Sequence, residues 1–509
     1  MSNASGTPAD AGPAESSQAA TAISSASVPT KRRFFWGLGG ATEAMSYNGL
    51  NGLMDAIYVN AMGLDPKIIG LARSVPRLLD LIFDPIIGHL SDNTRSRWGR
   101  RRPWMAVGAI LAALVAILMW YPPLRFGAGV STVFIVGMVV VLFTFGYSMF
   151  MIPYTAQGYE LSTDYNERTH IFQWRIYANA ANGFISPWLL PLCLVVEGAS
   201  ANVTKGAIGV HWISWGIAAV ILLTACGPIF GCKEKGTHAA EKKNKLFDAV
   251  KFTLRNKAFW PLVAGNFFIK FGMIITQSLF YFVMVYSVCD GDNKMGATRL
   301  AILWNSINLA TILAMSLVVR ATDRMGKKPA VLALMFLSSL IYASYWLTLR
   351  PHHAGWLLQT DNFLTASCHI PALIVGIWPA LITGACIGVF TNSIPLIMNS
   401  MLADVCDVDE LACGQQRQAF YGAVFVSCDK MAMALALLIQ GWLVSASGYS
   451  SKLVIQAPET IAFWMKSLLF TQPVGFLIGL ACVLAYPITR AKAMEVRRLL
   501  DARKTSATA

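Results

Sequence analysis

Four ionisable residues interrupt an otherwise apolar stretch: Arg73, Arg77, Asp80 and Asp84. Their spacing is i, i+4, i+7 and i+11. At about 100° per residue an α-helix places all four on one face, within about 60° of arc. A charge at mid-membrane depth is costly, so such residues turn inward and pair. Two carboxylates one turn apart can share a cation, and a neighbouring Arg can stand in until that cation arrives. A fixed salt-bridge ladder would use the same residues, but apolar packing could replace a purely structural ladder at little loss. The preferred reading is a cation site on Asp80 and Asp84 with Arg77 as its releasable partner, and Arg73 has no assigned role.

Other apolar stretches carry polar residues at helical spacing. Glu43, Tyr47 and Asn51 follow one another at four-residue intervals, with Asp55 beyond them. Arg175 shares a face with Asn179 and Asn182, and Asn266, Lys270, Gln277 and Tyr281 share another. Asn305 and Asn308, Asn392 and Asn399, and then Asp429, Lys430 and Gln440 complete the set. Any one Asn serves readily as an interhelical hydrogen bond. Together they describe a polar cavity suited to a hydroxylated solute, since each sugar hydroxyl both donates and accepts. Trp and Tyr can supply an apolar platform for a ring face.

The elements that must hold these groups are membrane helices. Hydrophobic residues make up 55% of the 509, and charged residues only 13%, against about 25% charged in soluble domains. Apolar runs long enough to cross about 30 Å of hydrocarbon recur at 35–62, 67–91, 104–122, 131–157, 171–196, 209–231, 259–287, 299–320, 330–349, 370–400, 419–446 and 462–488. Continuous runs of this length are helical, because barrel strands would alternate over about ten residues. Lys and Arg collect at 31–33, 95–102, 233–257, 324–328 and beyond 490, which predicts cytoplasmic termini and an even number of spans. Two loops at matching places, Asp92 to Pro103 and Asp323 to Pro329, both run Asp, Gly, basic residues, Pro. The expected architecture is therefore all-α, twelve transmembrane helices in a parallel six-plus-six repeat resembling the major facilitator fold. The expected divisions are a disordered tail (1–30), a first bundle (31–231), a basic cytoplasmic linker (232–258), a second bundle (259–490) and a basic tail (491–509).

Composition also excludes functions. The net charge of +14 sits in loops that suit anionic lipid, with no aromatic-interleaved basic patch for nucleic acid. The ten Cys form no CxxC pair, so they read as packing residues rather than metal ligands. The seven His are scattered and no HExxH occurs, so neither an enzyme nor a cofactor is expected.

Longer motifs carry a resemblance. Arg77-Leu-Leu-Asp80-Leu-Ile-Phe-Asp84-Pro85, then Thr94-Arg-Ser-Arg-Trp-Gly-Arg-Arg-Arg-Pro103-Trp104, resemble the glycoside–pentoside–hexuronide:cation symporter family, the melibiose-permease-like branch of the major facilitator superfamily. So do Ile152-Pro153-Tyr154 leading to Glu167-Arg168-Thr169 and Arg175, and Met401-Leu-Ala-Asp404-Val-Cys-Asp407 leading to Gln415, Arg417 and Lys430. The resemblance implies sugar symport driven by H⁺ or Na⁺ in the cell membrane. It places the cation at Asp80 and Asp84, and the sugar at Arg175, Lys430 and the neighbourhood of Glu43, with Tyr47 and Asn51 as further candidates. State-dependent ion pairs would join Arg100, Arg101 and Arg102 to Asp404 or Asp407, with Arg417 nearby. Phe83 stands where the typical member has Asn, Met151 where it has Asp, and Thr155 where it has Trp. Losing two oxygen-bearing side chains favours H⁺ slightly, because a hard metal ion needs several oxygens. The partners expected are a sugar, a coupling cation and membrane lipid around a monomer. The alternative cargo on the same fold is a lysolipid or another amphiphile.

Overall fold

The computed structural model describes residues 28–121, 130–161, 165–198, 206–232, 256–349, 377–413 and 418–508, and among these there is no strand. The first helix, α1, joins Thr30–Gly37, Gly39–Ala44 and Leu50–Met54 through two π-helical segments, Met45–Gly49 and Asp55–Ala61. Then follow α2 (Pro66–Asn93), α3 (Arg102–Leu118), α4 (Val130–Glu160), α5 (Tyr165–Ile185 continuing as Leu189–Glu197) and α6 (Gly209–Gly231). The second set comprises α7 (Phe259–Val283, extended by a π turn at Met284–Val288), α8 (Asn293–Met325), α9 (Lys327–Thr348) and α10 (Trp378–Phe390 and Ile394–Cys413). It ends with α11 (Gln418–Ala446), α12 (Pro458–Leu484) and α13 (Arg490–Thr508).

Local chemistry sets several boundaries. Asp65 caps α2, its carboxylate accepting from the Lys67 amide at 2.9 Å, with Pro66 at the first helical position, where its missing N–H costs nothing. Asp292 caps α8 in the same way. The two matching loops share a backbone device as well as a residue order: Gly99 has φ 110° and Gly326 has φ 90°, a region that favours glycine.

Among the described residues nine helices are long and apolar enough to cross a membrane. The apolar α3, with 17 residues, is shorter; α1 is broken into pieces, and α2 carries the charged stripe. Most of the basic tail forms α13. The expected tail 1–30 and linker 232–258 fall almost wholly outside the described residues.

Packing runs mainly within two sets. In the first, α4 packs on α2 and α3, α6 on α3, and α5 on α1. In the second, α12 packs on α7 and α9, and α10 on α8 and α9. The main contacts between the sets are α2 with α11 and α5 with α8. A six-helix offset exchanges these two pairs, as a parallel repeat requires. The α2–α11 crossing depends on glycine: a Cβ on Gly441 would lie 2.4 Å from the Pro66 carbonyl oxygen, and one on Gly70 2.7 Å from that of Leu437. Small residues let membrane helices approach this closely.

Candidate cation and solute site

The stripe on α2 divides into one separate pair at Arg73 and a connected group of Arg77, Asp80 and Asp84. Arg73 reaches across to α1, where its Nη1 donates to both carboxylate oxygens of Asp55 at 2.8 Å. Arg77 Nη1 lies 3.3 Å from Asp80 Oδ2, with its guanidinium 4.8 Å from the centre of the Tyr47 ring. Asp84 Oδ2 accepts from Lys430 Nζ of α11, and the same ammonium lies 3.6 Å from Asp80 Oδ2. Ser148 of α4 donates to Asp80 Oδ1 at 3.3 Å. Asp84 Oδ1 is buried and has no hydrogen-bond partner.

Asp80 and Asp84 are thus brought together, as the spacing predicts, but around a lysine. Lys430, expected on the sugar, instead places its ammonium against both carboxylates. The reason is geometric: α2 and α11 are the most closely associated helices of the two sets, so a lysine on α11 falls on the α2 stripe. Phe83 points elsewhere, its ring 5.2 Å from that of Phe145 in an edge-on contact. Met151 is buried in an apolar cluster with Trp36, Phe150 and Tyr154. Neither offers an oxygen to a cation, and no group of three or more His, Cys, Asp or Glu able to hold a metal occurs among the described residues.

Glu43 and Arg175, also expected to line the sugar pocket, close on each other. Arg175 Nε and Nη2 each donate to a Glu43 oxygen at 2.9 Å, a bidentate pair joining α1 to α5. Its guanidinium lies 5.6 Å from the Tyr154 ring centre.

A central cavity of about 300 Å³ opens between the two sets of helices, and neither Glu43, Arg175 nor Lys430 lines it. Tyr47 and Asn51 do, joined by Asp55 and Arg73 from the same side. The other side contributes Gln277, Trp304, Asn308 and Asn392. Tyr47 Oη donates to Met433 Sδ of α11 at 2.9 Å, and Asn308 Nδ2 donates to the Gly183 carbonyl at 2.8 Å. Both bonds cross between the sets. The cavity holds the amides and the aromatic face that a polyol requires. Trp304 is a cavity residue that sequence reasoning passed over, and Arg73 is one that it singled out but left without a role. Arg73 was visible as a charge in an apolar run, one turn before Arg77; nothing in the sequence distinguished Trp304 from the other Trp residues.

The expected ion pairs between Arg100–Arg102 and Asp404 or Asp407 are not formed in this conformation. Arg100 lies 3.1 Å from Glu160. Arg101 reaches Asp92 at 2.9 Å and Glu160 at 2.8 Å. Arg102 donates to the carbonyls of Ile229 and Phe230. Asp404 is held by Lys327 at 2.6 Å, and Asp407 lines a separate cavity of about 480 Å³ between α8, α10 and α13. Each arginine finds its partner at the near end of its own helix set. Arg417 lies outside the described residues.

Comparison with known proteins agrees with this architecture. Residues 35–490 match the family model described as MFS/sugar transport protein. An Escherichia coli protein named for glycoside/cation symport is 25% identical, over 92% of this chain and 94% of its own. The isoprimeverose transporter of Lactiplantibacillus pentosus is 24% identical over 95% and 93%. A sodium-dependent lysophosphatidylcholine symporter of Danio rerio is 21% identical over 92% and 88%. The fold matches that of a bacterial homolog of the human lysosomal transporter Spinster with a TM-score of 0.61, over 93% of this chain and 98% of the other, at 13% identity. With the matched residues spanning all but the two ends of the sequence, this chain belongs to the MFS/sugar transport protein family.

Proposed function

We propose that this multi-pass membrane protein is a cation-coupled symporter of a sugar or glycoside that works by alternating access, with H⁺ favoured over Na⁺. The observation that carries the reading is Lys430 on Asp84, one helix turn from Asp80. The lysine acts as a tethered cation. A proton arriving at Asp84 removes the charge that holds Lys430, so the α2–α11 contact becomes ion-dependent. Coupling follows because the ion then changes the relative energies of the two facing states. H⁺ is favoured because it needs a single acceptor, such as Asp84 Oδ1, whereas a hard metal ion needs several oxygens and Phe83 and Met151 supply none.

In this reading twelve helices cross the membrane, the basic end faces the cytoplasm, and a monomer surrounded by lipid does the work. No cofactor beyond the coupling ion takes part. The lysolipid alternative draws on the lysophosphatidylcholine symporter among the relatives and on the apolar surroundings of Met151. The small cavity lined with amides supports a compact polyol better.

The test is uptake of labelled sugars and of a lysolipid by proteoliposomes under an imposed H⁺ or Na⁺ gradient. Sugar uptake driven by the H⁺ gradient and abolished by Asp84→Asn is the expected result. Gradient-driven uptake surviving in Asp84→Asn would overturn the cation assignment, and uptake of the lysolipid alone would overturn the cargo.

A further inference from the structure

Among the described residues lining the central cavity, Asp55 and Arg73 are the only charged ones, and neither belongs to the cation site. Both are more than nine-tenths buried, at 7% and 6% exposure. Arg73 uses Nη1 for Asp55, yet its Nε is buried without any acceptor. An orphaned charged donor is an expensive thing to keep in a low-dielectric interior, and such a group calls for a partner. The backbone aims Asp55 deliberately: it opens the second π-helical segment of α1, and π turns of this kind are frequent at functional sites. Asn51 and Tyr47 lie on the turns of α1 before it, and Trp304 is on the cavity wall supplied by α8.

We propose that the Asp55–Arg73 pair is a solute subsite that reads two adjacent hydroxyls of an uncharged sugar. One hydroxyl donates to an Asp55 oxygen, while its neighbour accepts from an N–H of the Arg73 guanidinium. A vicinal diol has both roles at the right separation, because each hydroxyl donates and accepts. Trp304 supplies an apolar face against which the ring can lie. The pair also gives acidic sugars no advantage. Its two charges cancel, so the pair gives an entering carboxylate no net attraction to offset the loss of that ion's hydration. The inference rests on the sugar-transport reading and specifies its substrate class and the residues that select it.

The experiment measures binding of a neutral glycoside, the corresponding uronide and single-deoxy analogues to the purified full-length protein by titration calorimetry. Three variants are compared with it: Asp55→Asn, Arg73→Gln and the double change. The double variant removes both charges together and so leaves no uncompensated buried ion. In the unaltered protein, removing either hydroxyl of the diol should weaken binding about 10- to 100-fold, as for hydrogen bonds to charged groups. That penalty should vanish in the double variant, and Asp55→Asn should narrow the preference for the neutral sugar over its uronide. A double variant that binds sugars but keeps the full deoxy-sugar penalty would show the pair to be only a staple between α1 and α2, and would overturn the inference alone. Absence of any sugar binding by the unaltered protein would overturn the transport reading together with it.

Discussion

The two ends of the molecule are joined in opposite ways. At the end far from the termini, the sets of helices are tied to each other by neutral groups. Asn60 at the end of α1 donates to Asn293 Oδ1 at 2.7 Å and to the Tyr281 hydroxyl at 2.5 Å. It accepts from Tyr286 at 2.6 Å and from Tyr449 at 3.1 Å. All four partners come from the second set. At the basic end the ion pairs among the described residues each stay within one set: Arg100 and Arg101 with Glu160, Arg101 with Asp92, Lys327 with Asp404. The difference bears on motion. A neutral hydrogen bond contributes a net 0.5–1.5 kcal/mol or so, and partly exposed ion pairs such as those of the basic end contribute no more than about 1 kcal/mol each. A closure made of amides and phenols can therefore open at moderate cost, and arginines satisfied within one set let the other set move away without exposing a bare charge.

The largest test of this comparison is the α2–α11 crossing, where the two sets meet backbone to backbone. Gly441→Leu would drive a side chain into the Pro66 carbonyl oxygen, 2.4 Å from the first added carbon, and helix interfaces are bistable rather than continuously deformable. Gradient-driven uptake should be lost. Gly422→Leu on the same helix is the control, because a Cβ there meets nothing within 4 Å, and its uptake should be close to that of the unaltered protein. Equal uptake by the two variants would remove the crossing from the transport cycle.

A smaller effect is expected from Asn60→Leu. It removes the hub of the far-end closure and leaves Asn293 and three tyrosine hydroxyls short of a partner, which should weaken the closed state by about 2–4 kcal/mol, the sum of a few neutral hydrogen bonds. A cysteine introduced at Ser451, which lies beside Gly63 at the same end, reports the change. Its labelling by a membrane-impermeant maleimide should be accelerated in Asn60→Leu. Unchanged labelling would mean that other contacts between the sets, such as Lys67 over the Trp442 ring at 4.7 Å, hold the end closed without it.

Much of this arrangement could be read from the sequence, in the places where periodicity carries the information. The face shared by Asp80 and Asp84 follows from 3.6 residues per turn, and the paired loops at Gly99 and Gly326 gave away the repeat. What periodicity cannot supply is the neighbour. It shows that Arg73 turns inward, but the helix bearing its partner Asp55 is fixed only by tertiary packing. Lys430 illustrates the same limit: its place on α11 was legible, while its choice of Asp84 over a solute depended on how closely α2 and α11 approach. The π segments of α1 were also hidden. They change the phase of the helix after Ala44 and again after Met54, so the regular four-residue spacing of Glu43, Tyr47 and Asn51 does not keep them on one face. Glu43 accordingly turns to Arg175, while Tyr47 and Asn51 line the cavity.

The smallest effect is expected at the basic end, from Glu160→Gln. Glu160 joins Arg100 and Arg101, but its side chain is 36% exposed, and an ion pair this open to water contributes at most about 1 kcal/mol. Asp92 still holds Arg101 at 2.9 Å when the second carboxylate is gone. Thermal unfolding in detergent should therefore fall only slightly, and the difference from the unaltered protein should shrink as salt is raised, because screening removes what the pair contributes. Labelling at Ser451→Cys should not change at all, since the pair lies within one set of helices and does not tie it to the other. A rise in that labelling comparable to the Asn60→Leu effect would mean that the two ends are energetically coupled through α4. The local character inferred for the basic-end ion pairs would then be wrong, even though every distance in them stands.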